Sequence, residues 1–380
     1  MDICGFLRYD KYITMKNHCQ VVTKRSVDRM YQIWDPSVDM PRVCELKKIG
    51  AERVTVKPFT PEKDEYIFLH GVALAQFKGR MYCAWAHNKV WENSDEEEVN
   101  FAVSDDGGRT WSDVIRGNMN PADGAAVSHG AFLVHEEKLY FFAPQFKGQL
   151  GAEMLRMCVY CLNEETGAFR CLGTALNDRF WPMCEPVRMA NGNYIMSGIY
   201  VGKDFCCPTN AAAVAISRGD DVLHWDMVKV EKEDGVRVWG ECTVTVDGGN
   251  CQMYCRDRSG KRVALYAESN DFGRTWSKMD FTNLPMIDSK PYAGTFSDGR
   301  RYLICSCASD IRARDPLTVA IADKGEALFS RIYTVDEGKT LSYPYAVEID
   351  KKLYIAYSST TEGYNRNSAE LLIVDIEDLK

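Results

Sequence analysis

Short runs in which apolar and polar residues alternate recur in pairs along this chain, each pair separated by a tight turn. The pairs are residues 72–77 with 81–86, 130–135 with 138–145, 185–190 with 194–199, 241–246 with 251–256, 292–296 with 301–305, and 345–349 with 353–357. A period of two marks a strand with one buried face. Turns at Lys78-Gly79, Asn191-Gly192, Asp247-Gly248 and Asp298-Gly299 supply residues that take the backbone angles of a two-residue hairpin. The pattern predicts six hairpins and an all-β protein.

A second repeat runs in phase with the first. Ser104-Asp-Asp-Gly-Gly-Arg-Thr-Trp111 and Ser269-Asn-Asp-Phe-Gly-Arg-Thr-Trp276 both fit S-x-D-x-G-x-T-W. In such a segment the Asp accepts turn amides, the Gly takes an angle other residues resist, and the Trp packs between sheets. It is a hairpin staple, with no chemistry of its own. Weaker versions are Asn163-Glu-Glu-Thr-Gly-Ala-Phe169, Ser217-Arg-Gly-Asp-Asp-Val-Leu-His-Trp225 and Ala322-Asp-Lys-Gly-Glu-Ala-Leu-Phe329. The five starts, 104, 163, 217, 269 and 322, are spaced 59, 54, 52 and 53. Several short strands per unit at that period predict a β-propeller of six blades, with seven less favoured. The sixth unit has a third strand at 370–376 and then runs out of chain. Its outer strand is expected from residues 53–58, which would close the ring by joining the two ends. Residues 1–50 are expected as a separate arm, and residues 51–380 as one propeller domain.

The staple is the Asp box, and from about residue 65 onward the chain resembles the sialidase/neuraminidase superfamily. That family carries, in chain order, an Arg, a general-acid Asp, a Glu, a second Arg, a third Arg and a nucleophilic Tyr. Glu241 and Arg256, 256 − 241 = 15 apart, resemble the Glu and second Arg, and Arg314 stands where the third Arg belongs. Tyr343, at 343 − 314 = 29 further on, opens the sixth unit as the nucleophile would, with Tyr345 as the other choice. The beginning departs: Phe68-Leu-His70-Gly replaces the segment of the first Arg. Where the acid should follow some twenty residues later, the chain reads Ala86-His87-Asn88-Lys89-Val90-Trp91, with Asp95 just beyond.

In a propeller the first strand of each blade lies nearest the axis, so the residues opening each unit converge. Those are His70, His129, Glu185, Glu241, Lys290 with Tyr292, and Tyr343 with Tyr345, joined by His87, Arg256 and Arg314 from neighbouring strand ends. Packing alone would place small or apolar residues there. The resemblance implies a sialidase-like hydrolase removing a terminal acidic sugar, with Tyr343 and Glu241 catalytic and Arg256 and Arg314 on the sugar carboxylate. Lys290, His87, Glu185, Tyr292 and Tyr345 are expected as further substrate contacts. The histidines offer an alternative, because imidazole is suited to proton transfer near neutrality. With His70 or His129 as base, the chain would resemble the propeller lyases that cleave rhamnosyl-glucuronate bonds. A third possibility is a glycan-binding propeller without catalysis, although that would favour aromatic platforms over titratable groups.

Composition narrows the partners. Apolar residues make up 46% and charged residues 26%, ordinary for a globular protein, and 46 basic against 54 acidic residues give a net charge of −8. That disfavours nucleic acid and anionic membrane as the main partner and leaves room for a local basic pocket, while the resemblance implies a small, acidic oligosaccharide or glycoside. Residues 1–11 hold no leader-like apolar run, so a cytoplasmic location with reduced cysteines, 15 in number, is expected. Cys158 and Cys161 fall on opposite faces of an alternating run, and Cys206-Cys207 reads as loop; the histidines with Glu185 could form a metal set, but no metal or cofactor is expected.

Overall fold

A computed structural model describes residues 30–380 apart from 90, 149–150, 152, 203–208 and 361–365, so the Cys206-Cys207 pair lies outside the described residues. The strands form six sheets, one for each predicted unit. In the first blade Phe68–Phe77, Arg80–Asn88, Glu98–Ser104 and Ile115–Arg116 pair antiparallel in chain order. The fourth blade repeats this order with Val238–Asp247, Asn250–Asp257, Val263–Ser269 and Asp280–Pro285. First strands of the fourth, fifth, sixth, first and second blades touch in turn, and the third meets the fourth through Tyr194–Tyr200, which makes them the inner wall of a six-bladed β-propeller.

Closure follows the expected route. Glu52–Lys57 pairs antiparallel with Asn367–Asp375, with Arg53 opposite Leu372, so the sixth blade takes its outer strand from the opposite end of the sequence. That last edge is thereby paired over residues 369–373 instead of being left to solvent. Residues ahead of this strand, expected as part of an arm, lie along the outer edges of two blades. Lys47–Lys48 pairs parallel with the fifth blade's Arg331–Asp336, and Tyr31 bridges Thr282 on the fourth. Asn283 secures the same segment, its side-chain oxygen accepting the amides of Ile33 at 2.9 Å and Trp34 at 3.0 Å.

Both full Asp boxes act as staples. Asp106 accepts the Thr110 amide at 2.9 Å and its hydroxyl at 2.7 Å, and the Trp111 indole donates to Gly108 O at 2.9 Å. Asp271, Thr275, Trp276 and Gly273 repeat these bonds at 2.8, 2.7 and 2.9 Å. The bonds from Thr110 and Ser104 hold the Asp106 carboxyl well below the usual range. The glycines are required by close packing as well as by angle. At Gly108 (φ +87°) a Cβ would sit 2.9 Å from Leu371 of the sixth blade, and at Gly273 (φ +76°) 2.6 Å from Ile195 of the third. Each box therefore fastens its blade to the preceding one. The weak box at Trp225 keeps the indole bond, to Val222 O at 2.8 Å, and an Asp221 that accepts the Leu223 amide at 2.9 Å.

The described cysteines are free thiols, and among the described residues no group of three His, Cys, Asp or Glu is placed to hold a metal ion. Cys158 and Cys161 pair with Ala143 and Tyr140, three positions apart in one strand, and so face opposite sides.

Candidate active site

Three inner strands lose their regular register at the mouth of the axis. In the first blade His70 pairs with Ala86 but Ala73 with Ala84, which inserts one residue at Gly71. In the fourth, Val238 pairs with Asp257 and Cys242 with Cys255, a two-residue excess around Gly240. In the sixth, Ser342 pairs with Ser358 and Tyr345 with Ala356, which leaves one residue extra at Tyr343-Pro344. Such bulges re-aim side chains that strict alternation would send elsewhere. Gly71 (φ +65°) could be no other residue, because a Cβ there would lie 2.1 Å from the His129 ring. Tyr343 takes φ +59°, a left-handed conformation that costs a bulky residue on the order of 1 kcal/mol or more.

The bulges open onto a cavity of about 390 Å³ walled by His70, His129, Glu241, Arg256, Arg314 and Tyr343, with Phe68, Trp181, Met183 and Ile199 on an apolar side. Tyr343 donates its hydroxyl to Glu241 Oε1 at 2.5 Å, while Arg256 donates to Glu241 Oε2 at 2.6 Å and lies 3.4 Å from the phenol oxygen. Arg256 also pairs with Asp288, whose other oxygen takes Arg258 at 2.6 Å. Burial alone would raise the Asp288 carboxyl, but the two guanidinium groups outweigh it and hold it below its ordinary value. Arg314 is held differently, donating to the backbone carbonyl of Asp288 at 2.9 Å and to Ser342 Oγ at 3.1 Å. Burial and the adjacent Glu241 push the Tyr343 phenol well above its usual pKa, so its proton stays on until an acceptor takes it.

His70 and His129 stand edge to face with ring centroids 4.8 Å apart, and Tyr343 lies 5.9 Å from His70. Burial pushes His70 down to about 3 and, with His70 and Lys290 close by, His129 well below its usual value. Both are neutral imidazoles at neutral pH. His70 Nδ1 is buried with no partner among the described residues.

The other expected contacts do not line the cavity. His87 is stacked on Tyr66 at 3.9 Å and bonded to Asn100 at 3.0 Å, a packed residue of the first blade. Glu185, Lys290, Tyr292 and Tyr345 form a second polar cluster set back from it: the Tyr292 hydroxyl lies 2.5 Å from Glu185 and 2.6 Å from Ala346 O. Tyr343 and Tyr345, equivalent by alternation, are thus separated by the bulge between them. Asp95 turns away to accept the Gly148 amide at 2.9 Å.

Sequence reasoning missed Glu92, which lines the cavity and stands 92 − 70 = 22 residues after His70. Burial first, then Glu241, raises its carboxyl above the ordinary range despite Arg256 and Arg314. Its loop is braced by Glu97, which accepts the Asn93 amide at 2.5 Å and which burial pushes up to about 8. The distance from His70 was the available signal, obscured because a Glu occupied the place where an Asp was sought.

The BNR repeat-like domain family matches residues 175–355. No curated protein matches the sequence significantly. Among solved structures, a protein of unknown function from Dyadobacter fermentans aligns with TM-score 0.68 and 13% identity, over 87% of this chain and 99% of its own. A Hadza microbial sialidase aligns with TM-score 0.66 and 13% identity, over 85% of this chain and 68% of its own. Trypanosoma rangeli sialidase follows with TM-score 0.65 and 15% identity; the alignment covers 87% of this chain and 60% of the trypanosomal one. That sialidase has been solved with the inhibitor DANA and as a covalent intermediate with 2,3-difluorosialic acid. Residues 175–355 thus match the BNR repeat-like domain family, and the six-bladed propeller fold is shared with sialidases of solved structure.

Proposed function

We propose that the protein is an exo-acting glycoside hydrolase that removes a terminal monoanionic sugar from a small glycoside, in the cytoplasm. The observation that carries this is the 2.5 Å bond from Tyr343 to Glu241, with Arg256 fixing the carboxylate from its other side. A phenol is a weak nucleophile until a base takes its proton, and a neutral phenol approaches an anionic sugar without repulsion. In the first step the Tyr343 oxygen bonds to the anomeric carbon, its proton passes to Glu241, and the bond to the leaving oxygen breaks. Glu92, whose carboxyl burial shifts toward its protonated form, supplies that oxygen with a proton. In the second step Glu92 takes a proton from water, water oxygen replaces the phenol on the anomeric carbon, and Glu241 returns the proton to Tyr343.

Charge supports a single anionic group on the substrate. Arg256, Arg258 and Arg314 face two carboxylates, Glu241 and Asp288, which leaves one positive charge when Glu92 is protonated. Arg314, bonded to a carbonyl and a hydroxyl, is the group with charge to spare. Hydrolysis of an aryl sialoside, followed by fluorophore release and by free sugar in the products, tests the proposal. Abolition by Tyr343→Phe supports it, and full activity in that variant rejects it.

One observation favours the lyase reading: the unpartnered His70 Nδ1 beside the cavity is free to accept a proton. A base held near pKa 3 is poorly matched to a sugar carbon acid, however, and this weighs toward hydrolysis. New ultraviolet absorbance from an unsaturated uronate, lost in His70→Gln and kept in Tyr343→Phe, would reverse the choice.

A further inference from the structure

Lys290 is 3% exposed, yet among the described residues it forms no ion pair. Its ammonium donates instead to the backbone carbonyl of Pro344 at 3.0 Å. Apart from the Tyr292 and Tyr345 rings, 5.7 and 5.8 Å away, and the field of Glu185, that carbonyl is its hydrogen-bond partner. This is a poor return in stability for a buried ammonium, since an apolar side chain of similar length would avoid the desolvation. Its placement has another consequence. Pro344 follows Tyr343 directly, and the bulge removes residues 343 and 344 from the ladder with the neighbouring strand. The next carbonyl but one, Ala346 O, lies 2.6 Å from the Tyr292 hydroxyl, which is also 2.5 Å from Glu185. A phenol has one hydrogen for these two oxygens. Both bonds form at full strength when Glu185 carries a proton and donates to Tyr292, which donates to Ala346 O. Burial raises the Glu185 carboxyl in the direction that arrangement needs.

The geometry points to Lys290 and Tyr292 as positioning residues that clamp the segment after Tyr343, holding the nucleophile in its left-handed conformation with the phenol on Glu241. Two fifth-blade side chains here brace the strand at and beyond the bulge. Lys290 holds the carbonyl of Pro344, which the bulge takes out of the ladder, and Tyr292 holds Ala346, one residue past Tyr345 where regular pairing resumes. Released from them, Tyr343 relaxes toward an ordinary strand conformation and its hydroxyl leaves the carboxylate. This inference rests on the assignment of Tyr343 as nucleophile.

The test uses Lys290→Met and Tyr292→Phe in the full chain, with steady-state kinetics on 4-methylumbelliferyl sialoside and a crystal structure of each variant. Displacing a reacting group by an ångström costs on the order of 100-fold. Lys290→Met is therefore expected to lower kcat about 10- to 100-fold with KM held within about twofold, and Tyr292→Phe to do so less severely. The structures are expected to show Tyr343 out of the left-handed region. A kcat equal to wild type in a variant that is merely less stable overturns the clamp, as does an unmoved Tyr343 in Lys290→Met. Wild-type protein inactive on every acidic glycoside removes the proposed function, and the variant structures then still decide the clamp by themselves. If Lys290→Met does not fold, Tyr292→Phe carries both readouts.

Discussion

Two tyrosine–carboxyl pairs stand near the axis of this propeller, with the same 2.5 Å separation and different surroundings. At the cavity, Glu241 has Arg256 on its second oxygen, and Tyr343 reaches it from a strained bulge. Behind it, Glu185 has no arginine, its second oxygen finds no partner among the described residues, and Tyr292 is tied to a backbone carbonyl. The chemistry of a carboxyl follows its other contacts. A guanidinium keeps the first pair a donor on an anionic acceptor, ready to pass a proton as the phenol reacts. Burial raises the Glu185 carboxyl although Lys290 opposes it, and the second pair is a strut tied to the backbone. Sequence shows two Glu and two Tyr at like positions, and only their neighbours separate chemistry from scaffolding.

The largest expected effect breaks the symmetry of the pairs. Glu241→Gln should lower kcat by about 10²–10⁴-fold, the usual loss for a general base. Glu185→Gln should leave it within about tenfold, because an amide can replace a protonated carboxyl as donor to Tyr292. Equal losses in the two variants, in kinetics on the same glycoside, would dissolve the distinction.

Glu92→Gln should cost less with a good leaving group, about 10-fold on an aryl glycoside and about 10²-fold on an alkyl one. Since the acid must be protonated, and its pKa is raised, the wild-type rate should fall on the alkaline side at a pH above the ordinary carboxyl range. The variant should lose that limb. A pH profile of kcat/KM unchanged by the substitution would exclude Glu92 from the proton transfer.

The histidines between the pairs give a stability signature. Their folded pKa values are depressed, so the unfolded chain binds protons that the native state refuses. Stability is complete above the unfolded value near 6.5 and declines as pH falls below it, for His70 down to about 3, by up to about 1.4 kcal/mol per unit for each histidine. The drop in melting temperature between pH 7 and pH 5 should shrink in His70→Gln; an identical drop would show that His70 does not titrate this way.

The smallest effect lies farthest from both pairs. Asp106→Ala and Asp271→Ala each remove capping bonds worth roughly 1 kcal/mol, more where amides are left unpaired. Denaturation midpoints should fall while kcat stays near wild type. A stable, inactive variant would give the boxes a part in catalysis that their geometry does not suggest.

The blades were legible from the chain because their causes are local. Alternation set the strands, Asn-Gly and Asp-Gly pairs set turns, and the Asp-box spacing counted the units. Closure by residues near 53 followed from an incomplete last blade. The order Glu241, Arg256, Arg314, Tyr343 also survived into one cavity, since residues opening successive units of a propeller meet at its axis. What alternation could not supply was the direction of side chains at the three bulges. A bulge depends on where the partner strand resumes pairing, and that is a property of two distant segments, not of one. The tertiary structure therefore separated Tyr343 from Tyr345, withdrew Glu185, Lys290 and Tyr292 from the cavity and packed His87 against Tyr66. It also brought Glu92 in from a loop, where no period announces which way a carboxyl points.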